Sequence, residues 1–206
     1  MSAEDILLGE LNVSRETLAR LEHFADLLKK WNPRINLVSR SSLEQLWTRH
    51  IIDSVQVFRC IMPQGHWVDL GSGGGFPGVI VAILAAEEAP DLKVTLIESD
   101  QRKSAFLRTA ARECGAKAQV IAERIEAVPP QEADILSARA LAVLDSLLGF
   151  SELHLKKTGV ALFPKGISWG KECEQARLRW NFSADAITSM TEPDAVILKI
   201  EGVSRV

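Results

Sequence analysis

His66-Trp-Val-Asp-Leu-Gly-Ser-Gly-Gly-Gly-Phe-Pro-Gly78 is the stretch whose reading decides the fold. Val68 and Leu70 flank Asp69 with the alternation of a strand entering a core, and glycines at 71, 73, 74 and 75 follow. Without a Cβ, these residues let the backbone turn through positive φ and come close to a ligand. Pro77 has the fixed φ and the missing donor that suit the first turn of a helix, so Gly-Val-Ile-Val-Ala-Ile-Leu-Ala-Ala from Gly78 to Ala86 is predicted helical. Strand, glycine turn and helix start together make a nucleotide cradle, because the helix N-terminus presents free amides and the positive end of its dipole. The bland alternative is a glycine turn with no ligand.

The glycine spacing admits two frames. Gly71-x-Gly73-x-Gly75, with an acid two residues before it, is the form used by methyltransferases that bind S-adenosylmethionine. Gly73-x-Gly75-x-x-Gly78, with Glu98 twenty residues on, fits the dinucleotide fingerprint. Asp69 favours the first frame. In the dinucleotide frame an apolar strand should run straight into the first glycine, whereas Asp69 and Ser72 intervene. In the methyltransferase frame Asp69 ends the strand, where a carboxylate can meet the cationic amino-acid end of the cofactor directly or through water. Asp69, Gly71, Gly73 and Gly75 are therefore candidate cofactor residues, with a nicotinamide-dependent oxidoreductase as the alternative.

Downstream, Lys93–Ile97 reads as a second strand, and the intervening helix is what a right-handed parallel crossover requires. Glu98 at its end can accept hydrogen bonds from both hydroxyls of a ribose, or can be a solvated strand-end acid. Ser99-Asp100 caps a helix that turns Ala105, Phe106, Leu107 and Ala110 toward the sheet and Arg102, Lys103, Arg108 and Arg112 outward, and Gly115 stops it. A third strand at 118–122 leads into Glu123-Arg124-Ile125-Glu126, where this architecture places groups around an adenine ring. A fourth at 133–137 leads into Ala138-Arg139-Ala140. Ligands in such sheets lie outside the carboxyl ends of the strands, so Asp69, Glu98, Glu126 and Arg139 are expected to converge on one rim. A helix at 143–155, a turn ended by Gly159, a fifth strand at 160–163 and the break Pro164-Lys165-Gly166 follow. Lys165 either holds a phosphate or sits in water. Residues 168–180 have helical spacing, 194–201 form a closing strand, and 184–190 form its antiparallel partner.

Residues 1–62 lack strand alternation and read as a helical extension packed on a compact unit at 63–206. Ser14 is a candidate N-cap for a helix bearing Leu18, Leu21, Phe24, Leu27, Leu28 and Trp31 on one face. Asn32-Pro33 is expected to end it, and Ser41 or Ser42 to cap a second helix through Leu43, Leu46 and Trp47. His50 and Asp53 would share a helix face, either as a base with its orienter or as a structural pair. The 206 residues, 47% hydrophobic and 25% charged, suffice for one full core. A net charge of −3 gives no global attraction to nucleic acid, so a polyanion must be met by a local basic face. Cys60, Cys114 and Cys173 form no CxxC pair and no cluster with histidine, so no metal site is expected. The acidic opening lacks the regions of a signal peptide, and no apolar run is long enough to span a membrane, so a cytoplasmic protein is expected.

Five motifs, in order along nearly the whole chain, carry a resemblance to a known family: Trp31-Asn-x-x-Ile-Asn-Leu-Val-Ser39, Arg49-His-x-x-Asp53-Ser54, Asp69-Leu-Gly-Ser-Gly-Gly-Gly-Phe-Pro-Gly78, Ser137-Ala-Arg-Ala140 and Lys165-Gly166. The chain resembles the bacterial 16S ribosomal RNA guanine-N7 methyltransferases, the RsmG or glucose-inhibited division protein B family. Phe76 and Gly74 are mild departures that leave the cradle intact. The resemblance implies a Rossmann-like class I methyltransferase fold of the α/β class, with a mostly parallel seven-stranded sheet, an antiparallel closing strand and an N-terminal helical extension. It implies S-adenosylmethionine as cofactor and one guanine of the small-subunit rRNA, near the decoding centre of the 30S particle, as target; a monomer is expected. It also implies cofactor contacts at Gly71, Phe76, Ile125 with Glu126, and Arg139, and a catalytic pocket bordered by Arg124, Arg139, Lys165 and the His50 region. Guanine N7 has an in-plane lone pair and no proton, so no general base is needed and His50 is assigned to positioning. Arg139 and Lys165 are read as holding phosphate or the cofactor carboxylate, and Phe76, Phe163 or Arg139 as the platform for the guanine. A non-catalytic RNA-binding or assembly factor on the same scaffold is the third reading.

Overall fold

The computed structural model describes residues 12–206, so the acidic opening and the first part of the expected helical extension lie outside the described residues. Five strands, β1 (His66–Leu70), β2 (Lys93–Ile97), β3 (Gln119–Ile121), β4 (Ala133–Ala138) and β5 (Leu155–Lys165), run parallel. They are followed by the hairpin of β6 (Trp180–Thr188) and β7 (Val196–Arg205). β7 lies antiparallel to both β5 and β6, giving the order β3-β2-β1-β4-β5-β7-β6. The order reverses at β1, and β1 and β4 carry the Asp69 and Arg139 ends side by side, with Asp69 opposite Ser137 in register.

Seven α-helices cover this sheet among the described residues: α1 (Arg15–Ile35), α2 (Arg40–Glu44), α3 (Asp53–Arg59), α4 (Gly78–Glu88), α5 (Gln101–Glu113), α6 (Leu144–His154) and α7 (Trp169–Ala176). α1 lies on α4 and α5, and α3 lies on α4. Leu21, Phe24, Phe58, Ile80 and Phe106 therefore share one core with the sheet face beneath them. On the opposite face α6 and α7 bury Leu144, Leu148, Phe163 and Trp180. β1 and β2 are covered on both faces, which is why their inner residues are apolar without interruption except where chemistry intrudes at Asp69 and Thr95.

Several local expectations are corrected. α1 does not stop at Asn32-Pro33 but runs to Ile35, because Asn36 caps it in the left-handed conformation with its amide on Asn32 O, and the Asn32 side chain accepts from Val38 N at 2.9 Å. Ser39, not Ser41 or Ser42, caps α2 by accepting from Ser42 N. Ala105 is exposed and Ser104 takes the inward position on α5. No turn precedes β5. The strand bulges between the pairs Ala133↔Leu155 and Ile135↔Val160, with Gly159 where a Cβ would lie 2.9 Å from Ala133 O. The helix predicted through Trp180 ends at Ala176, since Trp180 starts β6 with its indole in the core and its Nε1 on Asp145.

Candidate active site

Beneath the glycine turn lies a fully buried polar network. Trp67 Nε1 donates to Ser137 Oγ at 2.9 Å, Ser137 Oγ donates to Asp69 Oδ1 at 2.7 Å, and Gly78 N donates to Asp69 Oδ2 at 3.2 Å. Asp69 is 0% exposed, so it does not stand on the rim as expected but ties β1, β4 and the start of α4 together from below. Burial pushes its carboxyl up to about 6, against the hydrogen bonds from Ser137, Ser72 and Gly78 that favour the anion. Gly78 is required here by close approach, since a Cβ on it would lie 2.4 Å from Leu96 Cδ2 and 2.5 Å from Asp69 Oδ2. Gly78→Ala is expected to cost about 1–3 kcal/mol through overpacking, read as a loss of several degrees in a calorimetric melt.

Above this network Gly71, Gly73 and Gly75 all have positive φ, +63°, +49° and +92°. Gly71 and Gly73, with Ser72 and Gly74, form one side of a cavity of about 520 Å³, within the range of small-molecule sites. Gly71, Gly73, Phe76, Glu98, Ile125, Glu126 and Arg139 line it, as do Arg124 and His50, whereas Asp69 and Gly75 do not. Gly75 instead faces Val79 and Phe24. Glu98 is 8% exposed and holds the loop itself, accepting from Gly73 N at 2.9 Å and Asp100 N at 2.8 Å, so each oxygen keeps a further lone pair for a ligand. The Ile125–Ala127 turn is fixed from behind by His154 Nε2 on Ile125 O. Leu37 and Val38, which the sequence placed only in a connector, roof the glycine turn. Leu37 O would lie 3.1 Å from a Cβ on Gly74.

A second cavity of about 570 Å³ opens on the other side of Arg139, lined by Arg49, Asp53, Lys165, Glu172 and the 189–196 segment. Arg139, Ala140 and Ala142 belong to both cavities. The wall between them starts at the end of β4, where Ala140 takes a left-handed φ of +51°. That conformation costs an alanine roughly 1–2 kcal/mol. Arg139 is held from two sides, with Nη2 on His50 Nδ1 and Nη1 3.9 Å from Asp53 Oδ2. His50 and Asp53 are therefore not a base and its orienter; the guanidinium stands between them. A π-helical turn at Trp47–Ile52 turns His50 inward, stacked on Phe76 with ring centroids 4.8 Å apart. Burial, followed by the charges of Arg139 and Arg49, pushes its imidazole down to about 3. Burial raises the Asp53 carboxyl, with Arg139, Thr191 and Ser189 acting the other way.

Lys165 is not free to hold a phosphate. Its ammonium donates to Glu172 Oε2 at 2.8 Å and to Ala142 O at 2.9 Å, with the side chain only 9% exposed. Burial alone would raise Glu172, but Lys165 and the Leu144 amide outweigh it and hold the carboxyl below its usual range. This group braces the Arg139–Leu144 connection. Phe163 is fully buried in the opposite core and is no platform for a base. One face of Phe76 is already covered by His50. Arg124 is exposed and makes no ion pair among the described residues. Glu172 was not singled out in the sequence, and Asp53 was read there only as a partner of His50.

Among the described residues no group of three or more His, Cys, Asp or Glu side chains is placed to hold a metal ion. The family model for GidB, rRNA small subunit methyltransferase G, matches residues 17–197. The ribosomal RNA small subunit methyltransferase G of Ruegeria pomeroyi is 68% identical over 196 residues, covering 95% of this chain and 96% of that protein. Its counterpart in Ruegeria sp. TM1040 is 64% identical over 197 residues, 96% of each. A SAM-dependent methyltransferase from Aquifex aeolicus superposes with a TM-score of 0.57 at 13% identity, over 79% of this chain and 98% of that one, a likeness of fold. With that sheet order, that glycine cup and relatives matching almost end to end, the chain belongs to the GidB family of rRNA small subunit methyltransferases G.

Proposed function

We propose that this enzyme, an S-adenosylmethionine-dependent methyltransferase of small-subunit rRNA, methylates N7 of one guanine in 16S rRNA without a general base. The observation that carries the reading is the pair of cavities meeting at Arg139, one cupped by glycines and acids and the other open toward the 189–196 segment. The first cavity suits S-adenosylmethionine by its donor set. Glu98 and Glu126 offer acceptors for ribose hydroxyls and the adenine region, Ile125 a buried apolar wall, and Arg139, whose buried Nη1 has no hydrogen-bond partner, a cation for the carboxylate. Bound there, S-adenosylmethionine supplies an electrophilic methyl on a sulfonium.

The guanine reaches the shared wall from the second cavity. Its N7 lone pair forms the new bond as the sulfur–methyl bond breaks, the positive charge passes to the purine, and no proton moves. Asp69 is sealed from both cavities and the His50 imidazole, pushed down to about 3, is a poor proton acceptor, so neither is suited to act as a base. The side chains contribute approach and alignment, worth roughly 7–11 kcal/mol when the attack geometry is held. Asp53 and Glu172 offset the charges of Arg139 and Lys165, so the cation formed on the purine meets a nearly neutral wall. Lys165 acts by holding the Arg139 connection, and Arg124, exposed at the cavity, is a cation that can meet an RNA phosphate.

We place the enzyme in the cytoplasm as a monomer. No helix of the described residues is long and apolar enough to cross a membrane. The test is transfer of a labelled methyl group into 30S subunits from cells lacking the modification, with digestion to 7-methylguanosine. Label in another base or position would overturn the N7 reading, and absence of label from 30S subunits and from naked 16S rRNA would overturn the activity.

A further inference from the structure

Two buried groups at the meeting of the cavities have no hydrogen-bond partner, His50 Nε2 and Arg139 Nη1. The proton on His50 can be placed by elimination. Arg139 Nη2 can only donate, so Nδ1 accepts from it, and a neutral imidazole then carries its hydrogen on Nε2. That ring is 8% exposed, lines the glycine-walled cavity and not the second one, and is held by the Arg139 guanidinium, which belongs to both, and stacked on the Phe76 ring, so it cannot swing to find another acceptor and meets a base from the second cavity only past the Arg139 wall. An N–H fixed and buried in this way calls for an acceptor from outside the chain.

We propose that His50 Nε2–H donates to O6 of the target guanine and so selects guanine over adenine. The inference rests on the reading above that guanine N7 is the nucleophile. N7 and O6 share one edge of the base. Once the N7 lone pair is spent on the methyl group, O6 is the only acceptor left on that edge, and adenine presents an N6 amine there instead. An amine facing Nε2–H sets donor against donor and leaves the buried histidine unsatisfied. Arg139 fits this task less well, since one end of its guanidinium is held by His50 and its charge opposes the one appearing on the purine. A neutral imidazole holds the carbonyl without adding to that repulsion, and its depressed pKa keeps it neutral throughout the range in which the enzyme works.

The test uses 30S particles reconstituted with 2,6-diaminopurine at the target position, which keeps N7 and the 2-amine and puts an amine in place of O6. Wild type is expected to favour guanine by about a hundredfold in kcat/KM, the upper part of the range for one well-made base contact. His50→Phe keeps a flat ring on Phe76 and removes the donor. It is expected to lose about thirtyfold on guanine and little on diaminopurine, so that the preference collapses. His50→Gln, which retains an N–H, should recover part of the preference. Affinity for S-adenosylhomocysteine, measured by calorimetry, is expected to fall about threefold or more in His50→Phe, which frees Arg139 Nη2, and comparing the two bases within one variant divides that fall out of the preference. Equal wild-type rates on the two particles would overturn the proposal, whether or not either variant folds. So would an unchanged preference in His50→Phe, or a large loss of S-adenosylhomocysteine affinity with the preference intact, which would assign the donor to the cofactor. If wild type puts no label into guanine N7, it is the reaction assignment that has failed, not the role of His50.

Discussion

Arg139→Ala is expected to lower kcat/KM for the 30S particle by about 10²–10³-fold, the usual cost of removing one preorganised donor from a reaction site. The side chain lies in the wall common to both cavities, holds the His50 ring by Nδ1 and faces the Asp53 carboxylate, so its loss disturbs both reactants at once. Without it Asp53 is a buried acid left with the weaker influence of Arg49, and its carboxyl, already raised by burial, rises further. Arg139→Lys is expected to rescue little, because a single ammonium cannot reproduce a planar fork that reaches an imidazole with one nitrogen and a carboxylate with the other. Steady-state methyl transfer together with calorimetric binding of S-adenosylhomocysteine measures both parts. A lysine variant with wild-type turnover would show that charge alone is used here.

Asp69→Ala is expected to lower stability by about 3–5 kcal/mol, since it strands the Ser137 hydroxyl and the Gly78 amide in the core and leaves a void. For a chain of this length that is a fall of roughly 10 °C in melting temperature. The pH dependence separates charge from shape. The native carboxyl titrates near 6 against an ordinary value of 3.8, so between about pH 4 and pH 6 the folded chain binds more protons than the unfolded one. The stabilisation is complete below the ordinary value and is lost as pH rises through 6, a decline of roughly 3 kcal/mol from this one group. Subtracting the Asp69→Asn curve from wild type, by urea unfolding across pH 4 to 7, should isolate that decline. A flat difference would mean that water reaches the carboxylate.

The switch-point stretch was legible because its signal is local. Alternation, glycines and Pro77 each restrict the backbone, and the observed strand, positive-φ turn and helix follow from those restrictions. The depth of Asp69 was not legible, because it depends on Ser137, which the register of β1 against β4 brings opposite, and on the Gly78 amide. Gly159 read as a turn because glycine marks turns and wide bulges alike, and only the pairing of β5 with β4 distinguishes them. Lys165 stands at a strand end, as the sequence suggested, but its ammonium is spent on Glu172, seven residues on and one helix away. The link from His50 through Arg139 to Asp53 joins residues 89 positions apart, beyond any local pattern.

Gln56 on α3 donates to Thr188 O at 2.8 Å and accepts from Met190 N at 2.9 Å, while Ser189 and Thr191 both reach Asp53. The outer wall of the second cavity is thus stitched from segments more than 130 positions apart. A chain still under translation has its glycine loop and the Arg139 connection long before the 189–196 segment leaves the exit tunnel. Competence toward the base is therefore acquired after the donor cup has formed, and a chain not yet extended through the 189–196 segment offers a donor cup with no place for its target.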